Sequence, residues 1–139
     1  MILLDTNVIS EPLKASGDPK VVAWINAQNI ETLYLSTIGL AELRFGIAAL
    51  PEGKRKDVLH SSLEQRVLPL FEGRILSFDI SASQAYATLR SRARAAGQAI
   101  ASADGYIAAI AMTHSLSIAT RDIKPFIAAG LTVINPFDF

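Results

Sequence analysis

At 139 residues the chain is long enough to bury a real core, and it reads as one domain spanning 1–139. Thirteen acids balance thirteen bases, which excludes a global field able to draw in nucleic acid or an anionic membrane; a polyanion has to be held by local basic patches or bound cations. Zero cysteines, with only His60 and His114 as histidines, exclude disulfides, thiolate zinc sites, cysteine nucleophiles and histidine-rich metal sites.

The opening ILLD reads as a strand that surfaces on Asp5, with too little chain ahead of it to form a signal peptide. NVISEPLK follows as a short helix that Pro12 does not prolong. VVAWINAQ is a second helical piece, with Asp18 or Gly17 ahead of Pro19 in its first turn. TLYLS is strand-like and ends on Ser36, placed to cap the helix TIGLAELRFGIAAL. Pro51, Gly53 and a basic KRK turn lead into DVLHSSLEQRVL, whose Val58, Leu59, Leu63, Val67 and Leu68 fall at helical spacing. RILSF is a third strand, after which Asp79 caps the helix SASQAYATLRSRARAAG, closed by Gly97.

ASADGYIAAIAMTH is the most apolar helix, and LSIAT and LTVIN are the fourth and fifth strands. Apolar strands separated by helices predict an α/β domain, its parallel sheet of four to five strands covered on both faces. The longest apolar run, Tyr106 to Met112, is far short of a membrane span, so a soluble, cytoplasmic chain without membrane partners is expected. Half of the residues are apolar before glycine is counted. So small an interior leaves some of them for a subunit interface, and a homodimer is expected.

Four acids stand out. Glu42 and Arg44 are the only ionisable groups in TIGLAELRFGIAAL, and roughly 200° of helical rotation keeps them from neutralising one another. So apolar a helix is expected to be buried, where an unpaired carboxylate costs several kcal/mol. Asp104 is the sole acid of ASADGYIAAIAMTH; taken alone, a first-turn position favoured by the helix dipole accounts for it. Asp5 reads equally as a helix cap. Asp5 and Asp122 both follow strand-like runs, and the carboxyl ends of parallel strands share one edge. The helices carrying Glu42 and Asp104 start near that edge, so four carboxylates are expected to converge.

Like charges at close range destabilise a fold unless cations bind. With oxygen ligands alone the fitting cation is Mg²⁺ or Mn²⁺, which keeps positions open for water and phosphate. That is equipment for phosphodiester hydrolysis, in which the metal activates water and stabilises the leaving oxygen.

MILLDTNVIS, AELRFG, ASADGYIAAIA and IATRDIKPF together resemble the PIN-domain family, and within it the VapC-type ribonuclease toxins of the FitB-like branch, over essentially the whole chain. The resemblance implies a three-layer α/β/α sandwich and a Mg²⁺- or Mn²⁺-dependent endoribonuclease that cuts single-stranded RNA, typically as a dimer. It assigns the catalytic and metal-binding acids to Asp5, Glu42, Asp104 and Asp122, with Thr6 and Thr120 as auxiliary hydroxyls. It also implies a type II toxin–antitoxin system. The antitoxin would lay a segment across the active groove, assemble with the toxin into a heterotetramer or larger, and make the operator DNA contacts itself. An acidic pocket suits an arginine that competes with the metal.

Other polar residues read more plainly. Arg90 and Arg94, four apart on one helix face, default to a solvated surface, with RNA phosphates as the minority reading. Lys54, Arg55 and Lys56 are expected to be solubilising, Arg121 and Lys124 to flank Asp122, and Glu11 to lie on the surface. Asn7 either caps the first helix or orients Asp5. Trp24, Tyr86 and Tyr106 are expected in the core or an interface, His114 at a helix C-terminus and His60 on the surface. The competing function is a regulatory subunit that arms an antitoxin for DNA with hydrolysis vestigial. A receiver- or phosphatase-type phosphoryl-transfer domain is disfavoured, because Asn7 stands where a haloacid-dehalogenase-type phosphatase has its second Asp. Neither a P-loop nor a GxGxxG stretch is present.

Overall fold

Successive side chains on a strand point to opposite faces of the sheet, and in β1 (Ile2–Leu4) this sends Leu3 and Leu4 into two separate cores. In a computed structural model describing residues 1–139, β1 is the central strand of five. The others are β2 (Leu33–Ser36), β3 (Ile75–Leu76), β4 (Ser117–Ala119) and β5 (Val133–Ile134). All pairings are parallel, in the order β3-β2-β1-β4-β5. Leu3 lies opposite Ile118 and Leu4 opposite Ala119, so neighbouring strands divide their residues between the faces in step.

One face is covered by α1 (Thr6–Ile9), α2 (Pro19–Ala27), α3 (Thr37–Ala48) and α4 (Lys54–Ser61). Their Val8, Val21, Trp24, Leu40, Leu43 and Ile47 pack with Leu33, Leu35 and Phe71. The other face carries α5 (Ile80–Ala95), α6 (Ser102–Thr113) and α7 (Ile123–Ala128), which pack Leu89, Ile107, Ile110 and Phe126 against Leu3 and Ile118. The result is the expected three-layer α/β/α sandwich.

Side-chain caps start the helices where the sequence places them. Asp18 accepts from the Lys20 amide at 2.9 Å, Ser36 from Gly39 at 2.9 Å and Asp79 from Ala82 at 2.9 Å. Gly97, at φ 73°, follows α5 in the left-handed conformation that closes a helix. The basic KRK stretch is not a turn: Lys54 opens α4, directly after Gly53, and the helix widens into π-type turns over Ser62–Val67. Residues 123–128, without an expected element, form α7.

Glu11 is not on the surface. It is 6% exposed, in a 3₁₀ turn over Glu11–Leu13, and its carboxylate pairs with Lys14 at 2.8 Å. Gly17 crosses the Glu11 carbonyl so closely that a Cβ there would come within 2.2 Å of it. No helix is long and apolar enough to cross a membrane.

Candidate functional site

In a doubly wound sheet, ligands gather at the carboxyl edge where the strand order reverses. Here that point lies between β1, whose chain continues to β2, and β4, which the chain reaches only after β3. Asp5 leaves β1 and Thr120–Asp122 leave β4, so two of the four acids flank the switch point.

Asp5 is both a cap and a centre. Its Oδ1 accepts from the Thr6 amide at 2.8 Å, and its Oδ2 accepts from the Thr120 hydroxyl at 2.8 Å and from Asn7 Nδ2 at 3.4 Å. Thr120, fully buried, also accepts from the Asp122 amide at 3.1 Å and from Asn7 Nδ2 at 3.3 Å. Asn7 Oδ1 accepts from the Arg121 amide at 3.1 Å. Asn7 therefore ties the two strand ends together, orienting Asp5 rather than capping α1. The Asp5 carboxylate is 7% exposed, and burial pushes its pKa up against the pull of the Thr120 and Thr6 donors, with the Asp122 charge adding to the rise.

Glu42 joins through Thr6, whose hydroxyl donates to Oε1 at 3.0 Å. Close packing makes this link possible: a Cβ on Gly39 would lie 3.4 Å from Thr6 Oγ1 and 3.3 Å from Ser36 Oγ. Gly39 escaped notice in the sequence, although a glycine inside an otherwise good helix is a signal of close approach. Asp104, in the first turn of α6, is half-buried. Its carboxyl is held above the usual range, first by burial, then by the charges of Asp5, Asp122 and Glu42. All three of the other acids act on this one side chain.

One expectation fails. Glu42 does not sit on a buried helix: α3 is buried along Gly39, Leu40, Leu43 and Ile47, whereas Ala41, Glu42, Arg44, Phe45 and Gly46 are exposed. Arg44 turns away to a two-pronged pair with Glu64, at 2.7 and 2.9 Å. No lysine or arginine answers the four acids, since the chain's ion pairs are Lys14–Glu11, Arg44–Glu64 and Lys56–Glu52. Arg121 stacks its guanidinium over the Phe137 ring at 4.9 Å instead.

No three acidic or histidine side chains stand as a compact ligand set in this geometry. Asp5 is buried and Asp104 half-buried, while Glu42 and Asp122 are exposed. The donors on hand are carboxylate and hydroxyl oxygens, a chemistry that fits Mg²⁺ or Mn²⁺.

Beyond the acids, Tyr86 and Tyr106 are half-buried, stacked at 4.8 Å and joined edge-on by Phe78. Trp24 is core, His114 ends α6 and His60 is exposed.

A family model described as PIN domain matches residues 2–130. The chain is 57% identical over 138 residues to "VapC ribonuclease Y4jK" of Sinorhizobium fredii, covering 99% of both. It is 56% identical over 137 residues to "Toxin FitB" of Neisseria gonorrhoeae, again covering 99% of both. The solved "Structure of FitAB bound to IR36 DNA fragment" superposes with a TM-score of 0.95 at 54% identity, over 99% of this chain and 96% of that one.

Proposed function

The chain belongs to the PIN domain family, and on that footing we propose that it is a metal-dependent endoribonuclease, the toxin of a type II toxin–antitoxin system working in the cytoplasm as one domain over 1–139. Asp5, Glu42, Asp104 and Asp122 would hold Mg²⁺ or Mn²⁺, with Thr6 and Thr120 assisting. When bound, the cation supplies Lewis acidity, acidifying water and offsetting the charge that builds on phosphate and leaving oxygens. Thr120 and Asn7 keep Asp5 aimed, and Thr6 draws Glu42 toward it. Water adds across the P–O3′ bond: its oxygen goes to phosphorus and a proton to the leaving oxygen. The products carry a 3′-hydroxyl and a 5′-phosphate.

The observation that carries this reading is Asp5, buried at the switch point of the sheet, held by Thr120 and the Thr6 amide and answered by no basic side chain. Asp5, Asp122 and Glu42 are near enough for their charges to raise the Asp104 carboxyl. The relatives named VapC ribonuclease and Toxin FitB support the activity and the toxin role. The FitAB structure on DNA supports an antitoxin partner, with operator DNA reached through it. The chain itself is expected as a homodimer, and with antitoxin as a heterotetramer or larger. An antitoxin segment bearing arginine suits the acidic rim and would displace the cation.

That same DNA-bound relative favours a second reading, a regulatory subunit with little hydrolysis. Incubating purified protein with single-stranded RNA separates the two. Cuts that need Mg²⁺ or Mn²⁺, stop with EDTA and vanish in Asp5→Asn fit the enzyme. Intact RNA under all conditions fits the regulatory subunit.

A further inference from the structure

An enzyme whose reacting centre is a cluster of acids repels the polyanion it cuts, and a chain of zero net charge offers no compensating field. Cations free of carboxylate partners, close to the acids, have to hold the strand. Such a pair lies on α5. Arg90 and Arg94, one helical turn apart, share a face on which side chains stand about 5–6 Å from one another. Neither is in an ion pair. Together with Tyr86, Ser91 and Ile100 they line a groove of about 580 Å³ into which no acid projects.

The groove is joined to the acidic rim by packing. Tyr86 forms its wall and presses on Gly105, where a Cβ would come within 2.9 Å of the ring; Gly105 follows Asp104 directly. On the other side, Ile100 leads in four residues to Asp104. Arg90 is set in place rather than loose. Its Nε donates to the Ile100 carbonyl at 3.2 Å, its Nη1 donates to the Tyr86 hydroxyl, and its guanidinium lies 5.5 Å from the centre of the Tyr86 ring. A guanidinium ordered by neutral partners keeps its full charge and spare donors for a ligand. Arg94 is exposed, and its guanidinium is in no ion pair within the chain.

We infer that this groove seats the phosphodiester backbone of the RNA strand beside the cleavage site, Arg90 and Arg94 each taking a phosphate and the exposed part of Tyr86 facing the strand. The inference rests on the ribonuclease reading above and adds where the substrate lies. It turns the arginine pair from a solvated helix face into a binding surface.

The test uses the full chain carrying Asp5→Asn, which removes cleavage, and a fluorescein-labelled single-stranded RNA in Mg²⁺ buffer at several salt concentrations. Arg94→Gln, which breaks no bond in the fold, should weaken binding on the order of tenfold at low salt. It should also flatten the slope of log Kd against log salt by about 0.7. Arg90→Lys, keeping the charge but not the fork, should fall between. In the otherwise wild-type enzyme, Arg94→Gln should raise KM for a long RNA and leave kcat nearly unchanged. Unaltered affinity and salt slope in Arg94→Gln would overturn the groove while leaving the ribonuclease reading intact. A changed molecular mass in solution with unaltered RNA affinity would also overturn it, assigning this face to contacts between copies of the chain. Failure of the wild-type chain to cut RNA defeats the ribonuclease reading and the groove with it.

Discussion

Thr120→Val removes one hydroxyl from the centre of the site at almost no change in volume. That hydroxyl is fully buried, donates to Asp5 Oδ2 at 2.8 Å and accepts from the Asp122 amide and Asn7. A hydrogen bond to a charged group contributes about 1.5–3 kcal/mol. The Asp122 amide and the Asn7 side chain lie nearer solvent and can turn partly to water, so a loss of about 2–3 kcal/mol is expected. For 139 residues the unfolding entropy is about 0.3 kcal/mol/K, which converts the loss to a Tm about 7–10 °C lower. Calorimetry in chelator at neutral pH measures it, and Thr120→Ser, which keeps the hydroxyl, should cost about 1 kcal/mol. The deficit has a signed pH dependence. Thr120 holds the Asp5 pKa down against burial, so its removal raises the folded-state value further while the unfolded value stays put. An acid raised in the folded state loses stability as pH climbs through its titration. The Val variant should therefore match wild type most closely at acid pH and fall behind as Asp5 ionises. A Val variant as stable as wild type at pH 7, or one with a deficit independent of pH, would refute this account of Thr120.

Asp104→Asn should stabilise the cation-free fold at neutral pH by a few tenths to about 1 kcal/mol, a figure discounted for a half-exposed group and for salt. Because the Asp104 pKa is raised, the gain should fade as pH falls through the raised titration of Asp104 toward the usual carboxyl range, and urea titrations in EDTA that show a loss instead would contradict the crowding. Gly105→Ala drives a methyl to within 2.9 Å of Tyr86 and should cost about 1–3 kcal/mol, read as a lower denaturation midpoint together with weaker cleavage, since α6 carries Asp104. Glu64→Gln opens an exposed pair with Arg44 and should cost under about 1 kcal/mol at neutral pH without altering RNA cleavage. The Arg44 bond holds the Glu64 carboxyl below its usual range, so that contribution should be present at neutral pH and disappear as the pH falls through the carboxylate titration.

All five strands are readable as short runs containing Ile, Leu or Val, and Ser36, Asp79 and Gly97 mark helix boundaries by local chemistry. What resisted reading depends on packing. α7 is six residues long with Pro125 inside it, too short for a period to appear. The π-type turns over Ser62–Val67 keep the same apolar spacing as an ordinary helix to within a residue. Glu42 looked buried because its helix is apolar, yet Ala41, Phe45 and Gly46 face outward, as a domain with more apolar residues than interior allows. Glu11 reads as surface because an acid three residues before a lysine is an ordinary exposed pair; here only Lys14 is exposed, while the close crossing of Gly17 over the Glu11 carbonyl belongs to the folded chain. Asp5 and Asp122 are legible as residues that follow strands and Asp104 as a first-turn residue, whereas Glu42 lies in the middle of α3. The hydroxyl and amide groups that aim them, Thr120 and Asn7, act across more than a hundred residues of sequence, and only the folded chain brings them together.

The most direct measurement is thermal unfolding of the chelator-treated protein titrated with Mn²⁺ or Mg²⁺, beside Asp5→Asn and Asp104→Asn. A cation bound by the folded state alone adds about 2.7 kcal/mol at a hundred times its Kd, so the wild-type Tm should climb with metal while both variants climb far less. A wild-type Tm indifferent to the cation, or equal shifts in all three proteins, would mean that these carboxylates share an edge of the sheet without sharing a metal.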